Sequence, residues 1–409
     1  MQRLTFYIPN GQRYHMSVDR LEKRAHDRKI FNHDIRSCIY EDTVGNHLYS
    51  GRALGLTGQD DLIQIHPFLK GEWQAITDHY DRIGLPHSKN VLWDISLDRM
   101  SDYPDLRESV YRFGPSENRA RRNRSWEQTV AHINDRNNFI ALASQLRLDV
   151  PHTHCFHGKQ WFAGIDYFPY PCYLKPANPS VVGKGIHRCE NPSDLIKALA
   201  YFDEDVPLQV QEEIHTDIFL NLQYAATDQG IRRSLATERV SQWGIYEGDR
   251  YPAKCQPWGS VEPMAQWLWQ RGIRGVFAFD VAVVQEIDGL RFVLISCNPH
   301  YNEVSYFAGI ARRLRIPQWI AKEFSGDYDR LTDIDLRSIE FSLESRSGIV
   351  VVNWGTILIG KLGVLIAGTL IEQKQLETKL LERLGYSFPA GYKDRESGQF
   401  LSDGTRRRW

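Results

Sequence analysis

The sequence predicts an α/β (α+β) architecture, and three observations carry that expectation. Short apolar runs alternate with amphipathic helical segments across residues 1–115, extended segments separated by turn residues fill 173–297, and no apolar stretch is clean enough for a membrane. With 409 residues, 42% of them hydrophobic, the chain can bury substantial cores, and its length suggests two or three interlocking domains.

The 51 acidic and 50 basic side chains nearly cancel, so no global field draws the protein to nucleic acid or to an anionic membrane. Any charged ligand must be met locally. The six cysteines, at 38, 155, 172, 189, 255 and 297, form no C-x-x-C pair and read as reduced thiols. The N-terminus reaches polar residues too early for the apolar core of a signal peptide. These features predict a cytoplasmic location. The apolar stretch 348–371 is interrupted by Asn353, Lys361 and glycines at 348, 355, 360, 363 and 368, whereas a spanning helix needs about 20 nearly uninterrupted apolar residues. It is expected to form two buried strands split near Gly360–Lys361, in the core or at a homodimer interface.

From the N-terminus, Leu4–Ile8, Leu62–Ile65 and Val91–Ile95 read as strands and Gly71–Ile83 as a helix, giving an α/β N-terminal domain over residues 1–120. Asp60–Ile65, followed by His66-Pro67-Phe68-Leu69, is a strand ending in a loop, where open α/β sheets place ligands. The basic run Arg119–Arg124 is expected to be a solvated face, with a carboxylate- or phosphate-facing role as the alternative, and Arg406–Arg408 a frayed tail. A capped amphipathic helix follows Ile133, with Phe139, Leu142, Ala143 and Leu146 at helical spacing, and ends before Pro151. Next come a strand near Tyr173–Lys175, a helix at Pro192–Phe202 and a strand at Leu208–Ile214. Residues 218–227, 234–241, 276–285 and 290–297 all look extended, with Asp288-Gly289 as a hairpin turn, and Glu372–Leu384 reads as an amphipathic helix.

The order of polar residues on these elements suggests chemistry. Lys175 ends a strand before a glycine-containing loop, Asn178–Gly185, whose Gly183 and Gly185 flank Lys184 and let backbone N–H groups approach phosphate oxygens. Val210-Gln211-Glu212-Glu213-Ile214 closes a strand that can pair with a flat base, while Asp217, just beyond it, can accept from ribose hydroxyls. The hairpin of 276–285 and 290–297 brings Asp280 beside Asn298, two hard oxygen ligands suited to Mg²⁺.

This order, spanning roughly residues 130–310, resembles the ATP-grasp superfamily: a lysine-bearing helix, a second lysine on a strand before a glycine-rich lid, a V-Q-E-x-I hinge, and paired metal-binding strands ending in E-x-N-P-R. The resemblance implies two α+β subdomains clasping ATP, in an ATP-grasp domain over 121–330 with its lid subdomain near 173–215, and a segment 331–409 completing the core. It implies phosphate contacts from Arg136, Lys175, Gly183, Lys184 and Gly185. Gln211, Glu212, Glu213 and Ile214 would meet adenine, Asp217 ribose, and Asp280 and Asn298 the Mg²⁺.

The departures fall at catalytic positions. The family's metal-bridging glutamate aligns with Ser296, its arginine after N-P with His300, and its first lysine with Arg136. Glu303, Glu286 or a carboxylate from elsewhere is expected to compensate at the metal; otherwise one Mg²⁺ binds weakly or turnover is reduced. The resemblance is to single-chain carboxylate–amine ligases for amino acids and peptides, and it implies small-molecule carboxylate and amine substrates and amide formation through an acyl phosphate. His300, Arg274 and Asn302 are the expected catalytic residues, with Arg312, Arg313 and His187 as further candidates. Two alternatives stay open: a phosphotransferase acting on a hydroxyl, and a nucleotide-binding protein with reduced catalysis.

Overall fold

The computed structural model describes residues 3–7, 13–17, 28–36, 45–111, 125–162, 168–178, 185–242 and 245–386. The Arg119–Arg124 run, Gly183, Lys184 and Arg406–Arg408 lie outside the described residues.

The N-terminal region builds a four-stranded parallel sheet in the order Asn90–Leu92, Leu62–Gln64, Lys29–Asn32, Arg107–Val110. The helix expected over 71–83 is an α-helix at Trp73–Arg82 preceded by a 3-10 turn, Pro67–Glu72, which His66 caps by accepting from the Phe68 N–H. A second 3-10 helix, Asn46–Leu56, packs this region onto the C-terminal half. That contact depends on missing side chains. A Cβ at Gly55 would collide with the Ile310 side chain, and one at Gly309 with that of Leu56, so each glycine makes room for a side chain of the facing helix.

The central element is an eight-stranded antiparallel sheet. Its order is Gly289–Asn298, Gly275–Glu286, Phe219–Thr227, Gly230–Gln242, Ile245–Tyr251, Trp319–Ser325, Lys361–Ala367, Gly348–Asn353. The expected hairpin turn after Glu286 is present, with Gly289 at φ 138. The 348–371 stretch forms the two expected strands, separated by a 3-10 turn that ends at Gly360 in the left-handed region. Every residue of Gly348–Asn353 is buried, so this apolar surface is spent in the core rather than left for a partner.

Strand alternation sorts the sheet into two faces. Leu220, Leu222, Tyr224, Phe277, Phe279, Val281 and Leu294 bury one face against Trp126, Val130 and Ile133 of the Ser125–Asn134 helix, Phe139 and Leu142 of the Arg136–Gln145 helix, and Met264 and Leu268 of the Glu262–Gln270 helix. Asn221, Gln223, Thr237, Asp280, Ser296 and Asn298 occupy the alternate positions of the same strands. One face makes the core, and the other presents oxygen and nitrogen.

A smaller antiparallel sheet, in the order Thr153–Phe156, Leu208–Glu212, Cys172–Pro176, His187–Cys189, encloses its own core of Phe156, Phe168, Leu174, Leu195, Leu208 and Val210. It begins at Thr153, well before the expected lid boundary at 173. Among the described residues no helix is long and apolar enough to cross a membrane.

Candidate nucleotide and metal site

Lys175 sits on the small sheet, its Nζ 2.5 Å from Gln211 Oε1 and 5.4 Å from the centre of the Tyr173 ring. Asp135 caps the helix Arg136–Gln145 by accepting from the Asn138 N–H, which sets Arg136 in its first turn. Arg136 is anchored there through its own N–H to Ala177 O at 2.7 Å and its Nη1 to Pro176 O at 2.5 Å. Two cations therefore share the end of one strand. Burial, and then the neighbouring Arg136 charge, pull Lys175 down to about 8. Among the described residues neither cation has a carboxylate ion pair, so their positive charge is not neutralised by a neighbouring acid.

The hinge differs from expectation in detail. Gln211 is buried, and its amide bridges Lys175 and Thr153 Oγ1 instead of facing a base. Glu212 accepts from the His152 N–H, and Glu213 takes a two-nitrogen fork from Arg188 together with the Tyr173 hydroxyl. Those Arg188 bonds hold Glu213 below the usual carboxylate range. The side chains of 211–213 thus lock the sheet. Ile214 forms no backbone hydrogen bond among the described residues, and Asp217 beyond it is exposed. Of the expected glycine-rich loop, Gly185 is exposed with open space about its Cα.

On the polar face of the large sheet, Asp280 pairs in register with Asn221 on one side and Ser296 on the other. Its Oδ1 accepts from Asn221 Nδ2 at 2.8 Å, and its Oδ2 from Ser296 Oγ at 2.6 Å and Asn298 Nδ2 at 3.1 Å. The expected neighbours Asp280 and Asn298 do meet. Ser296, where the resemblance led one to expect a glutamate, offers a hydroxyl that donates to Asp280. Phe219, Asn221, Arg239, Asp249, Asp280 and Ser296 line a pocket at this point. Asn221 Oδ1 is buried there without a hydrogen-bond partner, an oxygen that a cation would satisfy. Asp249, missed in the sequence, is the second carboxylate on this wall. Glu286 is not brought to the metal position, because it lies at the hairpin tip beside Arg291.

Most of the other expected residues make contacts of their own. Arg274 is six residues from Asp280 along an extended strand, roughly 20 Å away; it binds Asp228 at 2.9 Å and the carbonyls of Trp269 and Ile273. Asn302 caps the helix Glu303–Arg313, its Oδ1 accepting from the Ser305 N–H and hydroxyl. Arg313 holds the carbonyls of Gly55 and Pro86, while Arg312 lies on an exposed helix face. His187 stacks on Tyr201 with centroids 5.2 Å apart. His300 stays near the cleft, 5.5 Å from the Tyr111 ring, its Nδ1 bonded to the Tyr301 carbonyl.

A small sheet whose Lys175 strand ends beside the helix-borne Arg136, followed by a large antiparallel sheet carrying an acid–amide pair, fits an ATP-grasp fold. Solved structures agree. An N5-carboxyaminoimidazole ribonucleotide synthetase in its ADP complex superposes with a TM-score of 0.53 at 12% identity, covering 87% of this chain and 97% of that chain. An Aspergillus clavatus N5-carboxyaminoimidazole synthase, in complex with ADP and 5-aminoimidazole ribonucleotide, gives 0.50 at 12% identity, covering 88% and 100%. The ribonucleotide synthetase of Thermotoga maritima gives 0.50 at 11%, covering 87% and 96%. The sequence matches no protein family and no curated protein. At such identities the likeness defines the fold.

Proposed function

We propose that the chain is an ATP-dependent carboxylate–amine ligase. The acid's oxygen attacks the γ-phosphorus, ADP leaves, and the resulting acyl phosphate is captured by an amine with loss of phosphate and formation of a C–N bond. The observation that carries this reading is the pair Lys175 and Arg136, two partly buried cations held together with no carboxylate partner among the described residues. Such a pair suits the polyphosphate of a nucleotide. The ADP bound in the superposed synthetases supports the same ligand.

Mg²⁺ fits the opposite wall on the evidence of its donors: one carboxylate at Asp280, the orphaned Asn221 oxygen and the Asn298 amide, which can present its oxygen by an amide flip. One or two carboxylates completed by nucleotide phosphates are what Mg²⁺ takes. When bound, the ion would neutralise charge on the transferred phosphoryl group. The protein's own part is to orient the phosphates with Lys175 and Arg136 and to hold the Asp280 carboxyl group in place through three donors.

The superposed synthetases act on an aminoimidazole ribonucleotide, whereas the sequence resembles amino-acid and peptide ligases, so the acid and amine partners are drawn from these two classes. A second reading, nucleotide binding with reduced turnover, is favoured by Ser296 at the expected glutamate. One assay separates the readings. With ATP, Mg²⁺ and a panel of amino acids, bicarbonate and aminoimidazole ribonucleotide, a ligase releases ADP and phosphate, a hydroxyl phosphotransferase ADP and a phosphorylated product, and a nucleotide-binding protein with reduced turnover essentially neither. Release of AMP contradicts all three.

A further inference from the structure

Arginines in this protein mostly find acceptors. Arg313 binds two carbonyls, Arg291 forks onto Asp149, and Arg82 onto Glu340. Arg52 does not. It is 5% exposed, yet its Nε and Nη2 have no hydrogen-bond partner, and among the described residues it is the one arginine that leaves two buried guanidinium nitrogens unmatched. Its contacts are aromatic: the guanidinium carbon lies 4.3 Å from the Tyr306 ring centre, 4.6 Å from Tyr111 and 5.2 Å from Tyr49. Ring faces offset the charge but accept no N–H bond in the guanidinium plane, so burying the Nε and Nη2 edge without an acceptor is costly.

Nε and Nη2 form one edge of the guanidinium, the fork that matches the two oxygens of a carboxylate or phosphate. The position of this fork is also informative. Tyr111 follows the strand Arg107–Val110, and His33 follows Lys29–Asn32 and bonds Tyr306 Oη at 2.6 Å and Ser109 Oγ at 3.1 Å. The cage therefore stands beyond the carboxyl ends of the parallel strands, where open α/β sheets bind ligands. Tyr306 belongs to the helix that starts at Glu303, five residues after Asn298 of the metal strand, and His300 reaches the same cage through Tyr111.

We propose that Arg52 is the oxyanion-binding residue of the substrate pocket, taking a carboxylate or phosphate of the acid or amine substrate on its Nε/Nη2 edge. The inference rests on the ligase reading above. Tyr49 and Tyr111, both half-buried, are the outer walls of the cage, and Tyr306 is its buried floor. Movement of an outer ring admits the anion. Glu303, in the first turn of that helix, acts on Arg52 through space and accepts from Asn353 Nδ2 at 3.3 Å, which sets a carboxyl group in the same cleft.

The test uses the full chain, with thermal unfolding followed at rising inorganic phosphate or acetate, each with and without saturating Mg²⁺ and ADP to fill the Lys175 site. The wild type is expected to gain at least about 2 °C more than Arg52→Met from one of the two anions. Phosphate alone identifies a phosphorylated substrate, and acetate identifies a carboxylate. Arg52→Lys keeps the charge and guards against a folding defect; lacking the fork, it is expected to lose most of the response. ADP binding is expected to be unchanged in both variants and weakened in Lys175→Ala. Equal anion responses in wild type, Arg52→Met and Arg52→Lys overturn the proposal even if ADP binds, whereas failure of the wild type to bind ADP removes the ligase reading instead.

Discussion

Gln211 Oε1 accepts from the Lys175 ammonium at 2.5 Å, so the residue expected to read a base instead steadies the cation expected to hold phosphate. The amide supplies a dipole but no charge. Lys175 therefore stays electrostatically open to an anion while its position is fixed.

That arrangement has a pH signature. Lys175 is depressed to about 8 from 10.5 by burial and by Arg136, so from pH 8 to 10.5 the unfolded chain holds a proton that the folded one has released. Stability linked to this group rises with pH over that window. Lys175→Met is expected to be more stable than wild type at pH 7, by at most about 3 kcal/mol, with the gap closing towards pH 10. Urea unfolding at pH 7, 8.5 and 10 measures it, and a gap that does not change with pH contradicts the burial argument.

At the other wall, Ser296→Glu sets a second carboxylate beside Asp280. Without metal the like charges are expected to lower stability by about 1 kcal/mol or more. With Mg²⁺ the variant is expected to show a larger metal-dependent rise in Tm than wild type. Thermal unfolding with and without millimolar Mg²⁺ decides; the same metal response in both proteins places the ion elsewhere.

Glu340 ties the C-terminal segment to the Trp73–Arg82 helix. Burial alone would raise its pKa, but the fork from Arg82 and the His79 bond outweigh burial and hold it down to about 2. The stability it contributes is full above the unfolded value near 4.5 and is lost as pH falls towards 2. Glu340→Gln is expected to cost about 2–3 kcal/mol at pH 6 and much less at pH 2.5. Denaturant titrations at those two pH values check the sign.

Gly309 is where the helix Glu303–Arg313 meets Leu56. Gly309→Leu is expected to destabilise by about 1–3 kcal/mol through overpacking, despite the better helix propensity of leucine. An increase in stability on equilibrium unfolding would show that the interface has room.

What the sequence disclosed and what it hid divide along physical lines. Strands joined by short turns were legible, because Gly275–Glu286 and Gly289–Asn298 carry their pairing in local alternation, and the meeting of Asp280 with Asn298 followed. The join of Trp319–Ser325 to Lys361–Ala367 is a long-range pairing that no local pattern reports. Arg274 misled because nearness in sequence to a metal strand is not nearness in space when the strand is extended. Asn221 and Gln223 carried a usable signal, two polar residues alternating within an apolar strand. Arg52 carried none, since a buried arginine reads like any other until its surroundings are known.

The central claim is that Lys175 and Asp280 belong to one Mg²⁺–ATP site. Calorimetric titration of ATP with Mg²⁺ into wild type, Lys175→Ala and Asp280→Ala tests it most directly. Loss of a charge-assisted phosphate contact is expected to weaken binding by about 30-fold or more in Lys175→Ala. In Asp280→Ala the enhancement of ATP binding by Mg²⁺ is expected to disappear. Affinities equal to wild type in both variants would contradict the account.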